Sequence, residues 1–310
     1  MLPNTALAII GATASGKTDL SIACAQKLGV NAEIVCADSR QIYKHLDIGT
    51  TKPTPEEQSL VPHHCIDIVE IDQDCSAGAY ASIARPIIGG LISNNALPIM
   101  VGGSGLYIKA LCEGFFSMPG IDSTLQAGIR TELNQQLEEH GKDWLFDQLF
   151  KVDPESCALY SDKNPRRILR ALEFYRITGW RFSEKKSEME DESTFVTKYV
   201  GIEMPREELY DRINKRTEQM WEALVEETKK VLAMGYSPTL NALNTVGYKE
   251  AIAFIYGNIS EKEAIEKMKQ STRNYAKRQL TWFRRNPAIH WISGEREEMV
   301  DKVASLLQVT

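Results

Sequence analysis

An α/β fold, a parallel sheet flanked by helices and carrying an inserted helical domain, is predicted by three observations. Short apolar strands alternate with helical patterns over the first 115 residues, the arrangement that yields a sheet covered on both faces. Between the first strand and the first helix lies Gly11-Ala12-Thr13-Ala14-Ser15-Gly16-Lys17-Thr18, a phosphate-loop motif that makes the sheet P-loop NTPase-like. From Met118 to about Glu192 dense charge and helical periodicity replace the alternation, which returns afterwards. The expected domains are a discontinuous core, 1–116 and 196–310, and an insertion, 117–195.

The elements follow in order. Ala6–Ile10 is an apolar run of strand length, and Lys17–Leu28 fits a helix closed by Gly29 just past its end. Ile34–Cys36 is a second strand running into Ala37-Asp38-Ser39. Pro98–Val101 is a third, followed by Gly102-Gly103-Ser104-Gly105 and a helix from Leu106 to Glu113. In the insertion, Asn164-Pro165 reads as an N-cap with proline at the first helical position, and Gly179 closes that helix. Trp144, Phe146 and Phe150 stand at helical spacing and are expected in the insertion core; Glu184–Glu192 is expected as a solvated loop or helix end. Tyr199–Ile202 is a fourth strand with Pro205 beyond it. Helices are then expected at Arg206–Met234, Tyr248–Tyr256 and Glu261–Arg284, and a last strand at Ile289–Ile292. Met220 to Met234 is read as packing.

The 310 residues are 43% hydrophobic and 25% charged, which excludes a disordered chain. A net charge of −6 gives no global basic excess, although net charge averages over faces and leaves local basic surfaces open. The six cysteines contain no C-x-x-C pair and read as buried thiols of a reducing compartment. No apolar run approaches the ~18 residues that span a bilayer. A cytoplasmic monomer without a membrane partner is expected.

The chemistry begins at the glycine-rich loop, whose chance occurrence in a chain this long is on the order of one in a hundred. Its backbone N–H groups and helix N-terminus suit phosphate oxygens, Lys17 bridges terminal oxygens, and Thr18 can ligate Mg2+. The motif leaves the polyphosphate unspecified. Ligands of open parallel sheets sit beyond the carboxyl ends of the strands, so Asp38, Ser39 and Ser104 should face the same crevice as Lys17. By position alone, Asp38 is a Mg2+ ligand, a general base or a helix N-cap. Two stretches are locally basic despite the acidic total. Lys267–Arg285 holds Lys267, Lys269, Arg273, Lys277, Arg278, Arg284 and Arg285 with no Asp or Glu, and aromatics are interleaved. Lys163–Arg181 carries Lys163, Arg166, Arg167, Arg170, Arg176 and Arg181 against Glu173 alone. Arg166 and Arg170, like Arg273 and Lys277, are four apart and share a helix face. Either run alone reads as a solvated helix face with its aromatics in the core; two unbalanced runs in an acidic chain suit a nucleic-acid backbone, with aromatics available to stack unpaired bases. His63-His64-Cys65 is read as a loop touching core or substrate, because three adjacent ligands suit one tetrahedral metal poorly.

An ordered set of motifs resembles the tRNA dimethylallyltransferases (tRNA isopentenyltransferases), in their compact bacterial form without the Cys/His zinc module of some eukaryotic relatives. The set is Gly11–Thr18, Asp38-Ser39-Arg40-Gln41-Ile42-Tyr43, Gly49-Thr50-Thr51-Lys52-Pro53, Pro62-His63-His64 and Val101-Gly102-Gly103-Ser104-Gly105-Leu106-Tyr107. It continues through Asn164-Pro165-Arg166-Arg167, Arg170-Ala171-Leu172-Glu173, Val246-Gly247-Tyr248-Lys249, Thr272-Arg273 and Ala276-Lys277-Arg278-Gln279-Leu280-Thr281-Trp282, nearly the whole chain. Ser104 stands where many members carry Thr, keeping the hydroxyl, and Ala12 where Pro is common. The resemblance implies transfer of a dimethylallyl group from dimethylallyl diphosphate to N6 of the adenosine just 3′ of a tRNA anticodon, assisted by Mg2+. It implies Asp38 as general base, with Ser104, Lys17 and Arg216 completing the catalytic set. Diphosphate binding would fall to Gly11, Ala12, Thr13, Ala14, Ser15, Gly16, Lys17, Thr18, Arg212 and Arg216, with the metal at Thr18. Contacts to the anticodon stem-loop would come from Asp38, Ser39, Arg40, Gln41 and Ser104, and from Arg166, Arg167, Ile168, Leu169 and Arg170. Asn244, Thr245, Val246, Gly247, Tyr248 and Lys249 would add to them, with Arg273, Lys277 and Arg278. The rival readings are a P-loop small-molecule or nucleoside kinase using ATP, a nucleotide-dependent RNA-binding module, and a relative that prenylates free adenine nucleotides.

Overall fold

In the computed structural model, which describes residues 4–114, 123–185 and 194–308, the strands are β1 (Thr5–Ile10), β2 (Ala32–Cys36), β3 (His63–His64), β4 (Leu97–Gly102), β5 (Val196–Ile202) and β6 (Ile289–Ile292). They pair in parallel throughout, in the order β3-β2-β4-β1-β5-β6. All six residues of β1 are buried, so both of its faces are covered, which is why the strand reads as a continuous apolar run. Helices α1 (Lys17–Lys27) and α12 (Arg296–Leu307) lay Leu20, Cys24, Val300, Val303 and Leu307 onto Leu7, Ile9, Ile34 and Ile99 of the sheet. Helix α3 (Ala77–Ser93) buries Tyr80, Ala84 and Ile88, and the Tyr80 hydroxyl donates to the Cys36 carbonyl at 2.6 Å. The first unit, Met1–Glu113 with Ser193–Thr310, is completed by α2 (Pro55–Leu60), α4 (Gly105–Cys112), α9 (Arg206–Ala233), α10 (Tyr248–Ile255) and α11 (Glu261–Phe283).

The sequence expectations hold for β6 to the residue and for the α9, α10 and α11 ends to within one. Several elements go beyond them, α2 among them. Helix α3 contains Pro86 and Gly89-Gly90, which break the polar–apolar rhythm, yet its Ser76 cap and its burial hold it helical. Helix α12 has only three buried positions. His63-His64 is strand rather than loop, because it pairs with Ile34 and Val35 of β2. His64 Nε2 lies 2.6 Å from Glu33.

The second unit, Gly114–Glu192, comprises α5 (Ser123–Val152), α6 (Pro154–Leu159), α7 (Pro165–Thr178) and α8 (Phe182–Lys185). Gly141, at φ 81°, interrupts α5. Asn164 caps α7 by accepting from the Arg166 N–H at 3.0 Å, and Gly179 closes it in the left-handed conformation. Leu133, Leu145, Leu149, Ile168, Leu172 and Phe174 form the core, with Trp144 and Phe146 packed at its edge. Phe150 is 57% exposed, a correction to its expected place. Leu149 occupies the inward position, and the next residue is rotated ~100° away from it. Of the charged stretch expected at Glu184–Glu192, residues 186–192 lie outside the described ones.

Asp153 holds this unit together locally. It is 1% exposed, and its carboxylate accepts from Ser156 N and Oγ at 3.0 and 2.6 Å and from Ser183 N and Oγ at 3.0 and 2.6 Å. Burial pushes its carboxyl up, but the bonds from Ser156 and Ser183 outweigh burial and leave it below the ordinary value. A depressed native pKa contributes stability above the unfolded value and loses it as pH falls through the native one. Asp153→Ala is expected to cost about 3 kcal/mol of stability near neutral pH. That cost should shrink in acid; urea titrations at both pH values that gave equal costs would refute the carboxylate's role.

Candidate active site

The carboxyl ends of β1, β2 and β4 deliver three loops to one edge of the sheet, and α9 and α11 close over them around a cavity of about 640 Å3. The phosphate loop supplies Thr13, Ala14, Gly16, Lys17 and Thr18 to its lining. Gly16, at φ 87°, turns the loop into α1 in a conformation that suits a residue without a β-carbon. Gly11, Ala12 and Ser15 lie behind the lining. Ala12 packs with Leu209 and Ile213 of α9 and Ala276 of α11. Ser15 Oγ is buried without a hydrogen-bond partner among the described residues.

The cavity is cationic on one side. Lys17 Nζ donates to the Ala12 carbonyl at 2.7 Å. Burial pushes its ammonium down to about 8, opposed by the charge of Asp38 and assisted by that of Arg216. Arg216 donates to Thr13 Oγ1 at 2.7 Å, and burial pushes its guanidinium down to about 10. Arg212, one turn earlier on α9, also faces the cavity and pairs with Glu208 at 2.9 Å. Asp38 shares the cavity and lies close enough to Lys17 for its charge to act on the ammonium; its Oδ1 accepts from the Arg40 N–H at 2.8 Å. Its Oδ2 has no hydrogen-bond partner among the described residues. This is a tight local turn, so of the roles open to Asp38 the helix cap is not the one adopted. Ser104 is 9% exposed and sits behind the lining; its hydroxyl accepts from the Ser39 N–H at 3.0 Å and donates to Ser39 Oγ at 3.1 Å.

Several lining residues carry no role in the sequence reading. Gly49–Pro53 forms one wall, which Gln41 holds by donating to the Thr50 and Thr51 carbonyls at 3.2 and 2.9 Å. The Glu227 carboxylate accepts from the Asp47 and Ile48 N–H groups at 3.0 and 2.9 Å, and from the Tyr248 hydroxyl. Tyr248 is fully buried, so it supports that wall rather than offering a surface. The Met220–Met234 stretch packs as expected through Trp221, Leu224, Val225 and Val231, while Met220 lines the cavity one turn beyond Arg216 and Met234 is exposed. Thr272, Tyr275 and Gln279 bring one face of α11 to the cavity. Burial pushes the Tyr275 phenol up to about 12, the charge of Asp38 adding to it and a bond with Ser104 opposing it. The helical spacings Arg212, Arg216, Met220 and Thr272, Tyr275, Gln279 are the signal that finds these residues.

Asn244, Thr245, Val246, Arg40 and Arg278 also line the cavity. Gly247 is the N-cap of α10, and Lys249 lies 3.7 Å from Glu250. Lys277 and Arg278 are exposed on α11, whereas Arg273 donates to Asn214 Oδ1 at 2.6 Å and Lys269 is held between Glu218 and Glu266, both at 2.7 Å. The second basic run belongs to the other unit. Four of its six charges pair with acids, two from α5 and two from beside the run: Lys163 with Asp143 at 2.7 Å, Arg176 with Glu132 at 2.9 Å, Arg167 with Asp162 at 3.5 Å and Arg181 with Glu184 at 3.5 Å. Arg166 is exposed, and burial pushes Arg170 down. Ile168 is wholly buried and Leu169 packs beside it, so a nucleic-acid contact through the Ile168 side chain is corrected to a core role.

A P-loop-type fold with an oxygen-lined, cation-flanked cavity defines a protein that handles phosphate esters. The IPP transferase family model matches residues 41–286, and the isopentenyl transferase family model matches residues 4–73. A tRNA dimethylallyltransferase of Alkaliphilus oremlandii is 40% identical over 302 residues, 97% of this chain and 95% of that protein. The crystal structure of the tRNA isopentenylpyrophosphate transferase of Bacillus halodurans is 35% identical with a TM-score of 0.71, covering 98% and 96% of the two chains. That of a eukaryotic dimethylallyltransferase acting on tRNA is 26% identical with a TM-score of 0.81, covering 99% of this chain and 78% of that one. The chain belongs to the IPP transferase family.

Proposed function

We propose that this chain transfers the dimethylallyl group of dimethylallyl diphosphate to the exocyclic N6 of the adenosine immediately 3′ of the anticodon in tRNA. The observation that carries the reading is that Lys17, Arg212, Arg216 and the Asp38 carboxylate line one cavity together. Family membership and near full-length relatives favour this over the kinase and the non-catalytic RNA-binding readings. The cations and loop amides bind the diphosphate and stabilise the charge that grows as the C1–O bond breaks. N6 forms the new bond to C1, and its proton passes to Asp38 Oδ2 while the diphosphate departs. The adenine is extruded from its loop to reach the cavity. The Thr18 hydroxyl beside a phosphate-binding loop suits Mg2+, which binds through few protein oxygens together with substrate phosphates. When bound, Mg2+ would neutralise charge on the leaving diphosphate.

Single-turnover incubation with labelled dimethylallyl diphosphate and total tRNA tests the reading. Label in N6-(dimethylallyl)adenosine is expected; ATP-dependent phosphate transfer without prenylation would replace it by the kinase reading. In this proposal the chain acts as a cytoplasmic monomer, and the insertion 117–195 contributes tRNA contacts through Arg166 and Arg170 while α11 contributes Lys277 and Arg278. Four phosphate contacts would weaken tRNA binding about 50- to 150-fold between 50 and 200 mM salt. Lys277→Ala is expected to reduce the log–log slope by about one. Affinity independent of salt in filter-binding titrations would remove this surface.

A further inference from the structure

Helix α11 joins two sides of the cavity through one amide. Gln279 is 5% exposed; its Oε1 accepts from the Thr13 N–H at 2.8 Å, and its Nε2 donates to the Gly103 carbonyl at 2.9 Å. Thr13 belongs to the phosphate loop. Gly103 immediately precedes Ser104, whose hydroxyl binds the Ser39 backbone next to Asp38. The fit leaves no slack, because a β-carbon on Gly103 would fall 2.1 Å from Gln279 Nε2. Arg216 fixes the Thr13 hydroxyl from α9, so the two helices over the cavity each take one polar group of that residue. Three residues beyond Gln279, Trp282 packs on Gly105, where a β-carbon would come within 2.2 Å of the indole. The two partners of Gln279 make opposite demands, a donor to be accepted and an acceptor to be supplied, and a carboxamide meets both where a carboxylate meets one.

We propose that Gln279 is a positioning residue that fixes the phosphate loop relative to the Asp38–Ser104 edge, so that the allylic carbon held by one meets the amine held by the other. This rests on the transfer reading above. Displacement of one reactant by about 1 Å costs on the order of 10²-fold in rate. The test uses the full chain with Gln279→Ala and the near-isosteric Gln279→Glu. With enzyme in excess over labelled donor and tRNA, the single-turnover rate constant does not depend on the fraction folded. It is expected to fall about 10²-fold in both variants, with the dissociation constants of dimethylallyl diphosphate and of tRNA each within about threefold of the parent (a threefold change being about 0.6 kcal/mol). Hydrogen exchange of peptides covering residues 11–18 and 101–107 is expected to rise together. A rate constant within threefold of the parent in Gln279→Glu overturns the proposal. So does a raised donor dissociation constant with the saturated rate intact, or faster exchange in only one of the two peptides. Transfer by the parent reports separately on the proposed function, and the exchange measurement stands without it.

Discussion

Replacing Asp38 by alanine is expected to lower the saturated rate of prenyl transfer by about 10²- to 10⁴-fold, the usual worth of a positioned proton acceptor. An adenine amine is a weak nucleophile, and it becomes cationic as it attacks C1. A carboxylate with one oxygen tied to its own turn and the other without a partner among the described residues can take that proton without moving. Alanine also removes the bond to the Arg40 N–H, so the informative companion is Asp38→Asn. The amide still accepts from Arg40 through its oxygen but cannot accept a proton. Both variants should keep tRNA affinity within a few-fold, because one contact to a base is small against several phosphate contacts. Single-turnover chemistry in Asp38→Asn close to the parent rate would remove the carboxylate from the reaction.

Lys17→Ala should act on the other substrate. Truncating one partner of a desolvated charge pair costs 2–5 kcal/mol or more, and a weakening of diphosphate binding by about 10²- to 10³-fold is expected. The unsubstituted protein offers an independent check. Its Lys17 ammonium titrates near 8 because burial disfavours the charge, so the binding-competent, protonated form dominates below that pH and declines above it. Affinity for inorganic diphosphate is therefore expected to fall about tenfold between pH 7 and 9, in proportion to the competent fraction. Arg216, at about 10, keeps its charge over this interval. Lys17→Arg should flatten the profile, since guanidinium does not titrate there. A calorimetric profile that stayed steep in Lys17→Arg would assign the titration to another group.

Much of this site was legible because its chemistry is local in sequence. The phosphate loop needs its residue types at fixed offsets, and Asp38 and Ser104 follow from the ends of strands that read as apolar runs. Arg216 followed from the family resemblance and Arg212 from lying one helical turn before it, and the same spacing extended by one step reaches Met220. Gln279 was quoted without a role, since its meaning lies in partners 266 and 176 residues away. Lys269 and Arg176 looked unbalanced because Glu218 and Glu132, which pair with them, lie on other helices, while Glu266 and Asp162 sit just outside the basic runs. Ile168 fell inside a basic stretch whose alternate positions face the core. Helix α3 escaped because proline and paired glycines argue against a helix, and only burial against the sheet overrides them. Two residues of β3 carry no strand signal of their own.

The sheet tapers towards its rims, to two residues in β3 and four in β6, while its long strands lie inside. Unsatisfied main-chain groups on a flat border are what recruit foreign strands and seed fibrils. A border this short gives an incoming peptide few rungs to climb, so crowding many copies together should not zip them edge to edge.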